Sequence, residues 1–205
     1  MPYSLASTEH PRVETEIKRS RFIAELRRAE DIDVALQLLA DARAAHPSAR
    51  HHCFACVIGD ADEARIERSS DDGEPGGTAG IPMLQVLKSR DIVNVAAVVI
   101  RYFGGVKLGA GGLVRAYSGA VAAAVDAATL IPRVRHELFR LTVDHADAGR
   151  LEAELRGRGI DVPTIDYAER ATLTVSSAHP AELASTIAAL TGGQAQLVPA
   201  GHVWT

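Results

Sequence analysis

Asn94-Val-Ala-Ala-Val-Val-Ile-Arg101-Tyr-Phe-Gly-Gly-Val-Lys107-Leu-Gly-Ala-Gly-Gly-Leu-Val-Arg115 changes character twice within one stretch. Its first part, Asn94 to Phe103, has a continuous apolar middle, the pattern of a strand covered on both faces. Five glycines and three cations (Arg101, Lys107 and Arg115) then lead into an alanine-rich helix expected over Leu113 to Ala128. Gly104, Gly105, Gly109, Gly111 and Gly112 let backbone N–H groups converge without Cβ obstruction, and a helix N-terminus adds partial positive charge. Physically this is an anion cradle. A tight strand-to-helix crossover with solvated cations is the plainer account of the same residues. The Gly-Lys-Ser/Thr ending of a Walker loop is absent, and Gly109-Ala-Gly-Gly-Leu-Val lacks the third glycine of a dinucleotide fingerprint.

Upstream lies Ser69-Ser-Asp-Asp-Gly-Glu-Pro-Gly-Gly-Thr-Ala-Gly80, which reads as a long loop before a helix through Leu84 and Leu87, with Pro82 in its first turn. Asp71, Asp72 and Glu74 crowd within four positions. Three such carboxylates hold Mg²⁺ through water, pair with cations of the glycine-rich loop, or act as acid and base. Local turn chemistry, with Thr78 capping the next helix, is the competing account.

Further upstream, Cys53 to Ile58 reads as a strand preceded by His51 and His52. In an extended strand, residues three apart face opposite sides, so Cys53 and Cys56 diverge and neither a zinc site nor a redox pair is expected. His52 shares a strand face with Phe54 and Cys56 and is a candidate for a surface cleft, or else a core histidine. Ile17 to Leu26 reads as a strand carrying Lys18, Arg19 and Arg21. Asp31 is an N-cap for a helix bearing Ala35, Leu38, Leu39 and Ala42, and Gly59-Asp60 with the acidic residues after it marks a turn before a short strand from Ile66.

Beyond Pro132-Arg133 the pattern becomes βαββαβ: strands at Arg135–Val143, 160–165, 171–175 and 195–203, with helices around Leu151 and Ile187 and a turn at Asp166-Tyr167. That order is ferredoxin-like. The expected division is residues 1–133 and 134–205. The 205 residues are 47% apolar, 23% charged and only 4% aromatic, which permits cores built from Ala, Val, Leu and Ile and excludes a disordered chain. No apolar run approaches the roughly 18 residues of a membrane span, and the first residues lack a secretory pattern, so a cytoplasmic protein is expected. A net charge of −4 removes the global field of a dedicated nucleic-acid binder and leaves only local basic surface, with no sequence-specific DNA binding expected. No nucleophile elbow, zincin motif or other catalytic constellation is present, and no metal ligand set or cofactor is assigned.

The segments Ile17-Lys-Arg-Ser-Arg-Phe-Ile-Ala24, His51-His-Cys-Phe-Ala55, Asp71-Asp-Gly-Glu-Pro-Gly-Gly-Thr-Ala-Gly-Ile-Pro82 and Asn94 through Tyr117 resemble the Impact/YigZ family. The resemblance covers residues 17 to about 128, and the C-terminal part resembles the family's second domain only in length and element order. It implies an α+β protein: an α/β sandwich of the ribosomal-protein-S5 domain-2 type, then a ferredoxin-like domain similar to the last domain of elongation factor G. Eukaryotic relatives regulate translation with an additional N-terminal domain, whereas this chain starts at the shared domain, as bacterial members do. The function implied is a translation-associated regulatory or binding module. RNA, the ribosome or a translation factor would be contacted through the Arg101–Arg115 loop and Lys18, Arg19 and Arg21. The alternative is a phosphate-handling or nucleotide-dependent enzyme using Asp71, Asp72 and Glu74 with Mg²⁺.

Overall fold

The computed structural model describes residues 1–60 and 65–205. One unit, Met1–Arg133, runs β1 (Tyr3–Leu5), β2 (Arg12–Ile17), β3 (Ser20–Arg28), α1 (Ile32–Ala45), β4 (His51–Ile58), β5 (Ile66–Ser70), α2 (Gly80–Ser89), β6 (Val95–Tyr102), α3 (Ala110–Asp126) and β7 (Leu130–Pro132). The other, Val134–Thr205, runs β8 (Arg135–Val143), α4 (His145–Gly157), β9 (Asp161–Tyr167), β10 (Ala171–Ser177), α5 (Pro180–Thr191) and β11 (Leu197–Trp204). The acidic turn expected after Asp60 falls on residues 61–64, outside the described residues. No helix among the described residues is long and apolar enough to cross a membrane.

The apolar strand β6 is the centre of a five-stranded sheet, β2-β3-β6-β4-β5, with antiparallel neighbours on both sides. Unbroken apolar strands are typical of parallel sheets because helices cover both faces. Here helices cover both faces of an antiparallel sheet, and the pattern follows from the covering. On one face Ala96, Val98 and Ile100 pack with Ile23, Phe54 and Cys56 beneath Ala35, Leu38 and Ala42 of α1. On the other, Ala97 and Val99 pack with Phe22, Ala24 and Cys53 against Met83 and Leu87 of α2 and Ala116, Tyr117 and Ala120 of α3. The cysteines are therefore free, buried and on opposite faces, as strand parity requires.

Three local expectations in the first unit need correction. Ile17 to Leu26 is not one strand: Lys18 and Arg19, at φ 48° and 66°, form a two-residue hairpin turn that pairs Ile17 with Ser20. Positive φ at both central residues is what such a turn requires, although Asn-Gly is its usual signal. The turn is pressed against the glycine-rich loop, since a Cβ on Gly104 would overlap the carbonyl group of Arg19. Thr78 does not cap α2; its hydroxyl donates to the Pro75 carbonyl at 2.6 Å. Asp71 does the capping, because its Oδ1 accepts the N–H groups of Ala79 and Gly80 at 3.0 and 2.8 Å. Finally, α3 starts three residues earlier than expected, at Ala110, so Gly111 and Gly112 belong to the helix.

In the second unit the strands order β11-β8-β10-β9, every pairing antiparallel, with α4 and α5 supplying Leu151, Leu155, Leu183 and Ile187 to a one-sided core. Asp166 and Tyr167 lie within β9, and the turn follows them, where Ala168 N–H donates to the Arg170 carbonyl at 3.2 Å. Gly192 ends α5 in the left-handed conformation at φ 60°.

Candidate functional site

At one end of the first sheet, Arg101 of β6 pairs in register with Phe22 of β3 and His51 of β4. All three side chains share the face covered by α2 and α3. This is the end from which the loop before α2 and the loop before α3 both emerge, and between them lies a cleft of about 400 Å³. Its lining includes Arg50, His51, Glu74, Arg101, Phe103 and Lys107, with Gly109 and Ala110 at the start of α3. The acidic and glycine-rich loops thus meet, through one carboxylate.

That carboxylate is Glu74. Its Oε1 accepts from Arg101 Nη1 and, at 2.7 Å, from the Tyr117 hydroxyl. Only 4% of the Glu74 side chain and 6% of that of Arg101 is exposed, so the pair is effectively dry. Desolvation opposes burying either charge, and each partner offsets the cost only while the other is present. Arg101 also lies over the rings of Phe22 and Phe103, 5.3 and 5.6 Å from their centroids. Burial drives the Tyr117 hydroxyl far above its ordinary titration range, keeping it a proton donor to Glu74. Burial likewise pushes the Cys53 thiol up to about 12, and its Sγ donates to the Asp71 carbonyl at 3.1 Å.

Asp71 and Asp72 build the loop rather than the cleft. Asp71 Oδ2 accepts the Gly77 N–H at 2.7 Å, in addition to the two α2 N–H groups on Oδ1. Burial acts to raise its carboxyl, but these three backbone donors outweigh it and hold the group below its ordinary value. Asp72 binds Arg43 through Oδ1 and the His52 N–H through Oδ2, at 2.8 and 2.7 Å. Its carbonyl accepts from His51 Nδ1 at 2.8 Å, which places the proton of neutral His51 on Nδ1 and leaves Nε2 as an acceptor. The donor set does not fit Mg²⁺. Asp71 faces backbone N–H groups, Asp72 a guanidinium and an amide, and Glu74 a guanidinium and a phenol. Among the described residues no group of three His, Cys, Asp or Glu side chains is arranged to hold a metal ion.

His52 does not reach the cleft. It is 7% exposed on the α1 side of the sheet, with Nε2 donating to the His46 carbonyl at 3.1 Å, and burial lowers its pKa. His51, one residue earlier, is the histidine of the cleft. Lys107 lines the cleft, while Arg115 stands exposed on α3 outside its lining. Lys18 and Arg19 adjoin the glycine loop through Gly104. Arg21 is engaged elsewhere, paired to Glu14 at 2.6 Å and lying over Tyr102. Gly105 and Gly109, at φ 84° and 74°, sit where a side chain would strain the loop.

Sequence reasoning missed Arg50, Phe103 and Tyr117 as site residues. Strand pairing places Arg50, whose N–H donates to the Arg101 carbonyl at 3.1 Å. The readable signal for Tyr117 was a solitary phenol in an alanine-rich helix, since a buried tyrosine hydroxyl needs a polar partner.

Residues 18–125 match the model of the Impact N-terminal domain, and residues 141–194 match a domain of unknown function, DUF1949. The IMPACT family member YvyE of Bacillus subtilis is 41% identical over 75% of this chain and 70% of its own length. The IMPACT family member YigZ of Escherichia coli is 38% identical over 89% of this chain and 91% of its own. A crystal structure described as that of an hypothetical protein superposes with a TM-score of 0.71 at 36% identity, covering 97% of each chain.

Proposed function

The chain belongs to the IMPACT family, and on that premise we propose that it is a translation-associated binding module whose cleft and basic rim hold the phosphates of RNA, on the ribosome or free. The observation that carries this reading is where its unpaired cations lie. Arg12, Arg21, Arg27, Arg28, Arg43, Arg65, Lys88, Arg90 and Arg133 each meet a carboxylate within the first unit. Lys18, Arg19, Arg50, Lys107 and Arg115 have no carboxylate partner among the described residues, and all five sit in the cleft or on the loops and helix that frame it. Arg68, on β5, is the one other cation of this unit without such a partner among the described residues. Cations left unneutralised in an acidic chain supply local field for an external anion.

The translation context comes from the family resemblance, as does the likeness of the two units to S5 domain 2 and to the last domain of elongation factor G. Phosphate contacts position a polymer without reading its sequence, and they need no metal. The three carboxylates do not converge, which speaks against the magnesium-dependent enzyme. The test is co-sedimentation with ribosomes, with and without chelator, using wild type and an Arg50→Ala/Lys107→Ala variant. Chelator-independent sedimentation by wild type that the double variant largely loses is the expected result. Equal sedimentation of the two proteins, or none by either, overturns the reading.

A further inference from the structure

The cleft holds more than an anion site. Behind the cationic rim, its wall is apolar: Phe103, Leu108, Leu113 and Pro75. Phe103 is 43% exposed, one of few aromatic rings in the chain, with the guanidinium groups of Arg50 and Arg101 5.9 and 5.6 Å from its centroid. At the floor, Glu74 Oε1 is taken by Arg101 and Tyr117, while Oε2 receives no hydrogen bond from the described residues. A carboxylate that is 4% exposed and keeps a spare oxygen toward a cleft can accept a further N–H donor there. His51 Nε2, 3.9 Å from Glu74, is an acceptor in the neutral ring. At the mouth, α3 begins with Gly109 as its N-cap and no side-chain cap, so its first N–H groups are open to an oxyanion beside Lys107.

Oxyanion site, flat apolar wall and acceptor floor follow one another as do the phosphate, the face and the N–H edge of a nucleotide. We propose that the cleft takes one unstacked nucleotide of single-stranded RNA, its base between Phe103 and the Leu108–Leu113 side, its phosphate at the start of α3. This rests on the RNA-binding reading and deepens it. An acidic peptide fits less well, since its carboxylates would meet buried Glu74 and leave the aromatic wall without a partner. The volume of about 400 Å³ suits a small-molecule-sized group. Unpaired bases splay onto aromatic rings and arginine planes in RNA recognition generally, and Phe103 with Arg50 supplies both.

The experiment titrates wild type, Phe103→Leu, Phe103→Tyr and Arg50→Ala/Lys107→Ala into a short single-stranded RNA carrying one 2-aminopurine, with 2-aminopurine riboside monophosphate and ribose 5-phosphate as separate probes. Base insertion is expected to change the fluorescence on binding, and Phe103→Leu to weaken RNA affinity about tenfold or more, the worth of one base stacked on one ring. Phe103→Tyr, which keeps the ring, is expected to restore it, and circular dichroism checks that each variant is folded. RNA affinity indifferent to Phe103→Leu but reduced by Arg50→Ala/Lys107→Ala overturns base insertion and leaves the binding reading intact. Binding of the monophosphate without the RNA moves the site to a free nucleotide and overturns the RNA source. Equal affinity for ribose 5-phosphate and the monophosphate overturns the stacking. No RNA binding by wild type at all overturns both readings.

Discussion

His51 and His52 are neighbours in the chain and opposites in situation. His52 points to the face closed by α1, where Ile23, Phe54, Cys56, Val98 and Ile100 form a core. His51 points to the other face at its open end, toward Glu74, Arg101 and the cleft. The difference is one of coverage. On the α1 side, a helix capped by Asp31 runs across the sheet. On the α2/α3 side, the loops that feed the two helices leave a gap whose floor is polar. The same two-residue strand period that hides Cys56 and Cys53 on separate faces thus sends one histidine to structure and the other to the site.

The largest expected effect breaks this comparison at the floor. Glu74→Ala leaves the Arg101 guanidinium buried without its carboxylate and is expected to cost about 3–5 kcal/mol in denaturant unfolding. Arg101→Met/Glu74→Leu, which removes both charges, should cost clearly less than Glu74→Ala. A smaller penalty for Glu74→Ala than for the double variant would show that the pair is not held as a dry unit.

Next in size is Gly104→Ala. The new methyl would overlap the Arg19 backbone, and backbone cannot rotate away as a side chain does. A loss of about 1–3 kcal/mol, the cost typical of overpacking, is expected. The change should also push the Lys18-Arg19 turn away from the glycine loop, so weaker RNA binding than the stability loss explains would sharpen the contrast between rim and core.

The smallest effect lies on the closed face. His52 has a pKa lowered by burial below 6.5, so the unfolded chain binds its proton first as pH falls. Stability is therefore expected to be lost as pH drops from about 6.5 toward the lower folded value. His52→Gln should flatten that segment of the stability profile, and an unchanged slope would contradict the burial of His52. His51→Gln, in contrast, is expected to act on ligand binding.

Much of this architecture was legible. The unbroken apolar run of β6 marked a strand covered on both faces, Asp31 capped α1, and the βαββαβ order of the second unit appears element by element. The Lys18-Arg19 turn was not legible, because two long cations replace the usual Asn-Gly and what makes them a turn is the docking of Gly104, a neighbour distant in sequence. The site was legible as two loops and illegible as an arrangement. Composition made Asp71, Asp72 and Glu74 look equivalent; only folding assigns Asp71 to backbone N–H groups, Asp72 to Arg43 and the His52 N–H, and Glu74 to Arg101 and Tyr117. His52 was favoured over His51 because alternation tells which residues share a face, but not which face is left open.

The central claim is that the unpaired cations at the open end hold phosphates. Its most direct test is the salt dependence of RNA affinity for wild type, Arg50→Ala/Lys107→Ala, and Arg150→Ala/Arg158→Ala as a control in the second unit, where both arginines are ion-paired. On single strands, each phosphate that the protein no longer neutralises makes the slope of log K against log salt shallower by about 0.7. The cleft variant is expected to bind more weakly with a slope shallower by about 1.4, twice that value, while the control keeps the wild-type slope. An unchanged slope for the cleft variant, or an equal fall for the control, would contradict the account.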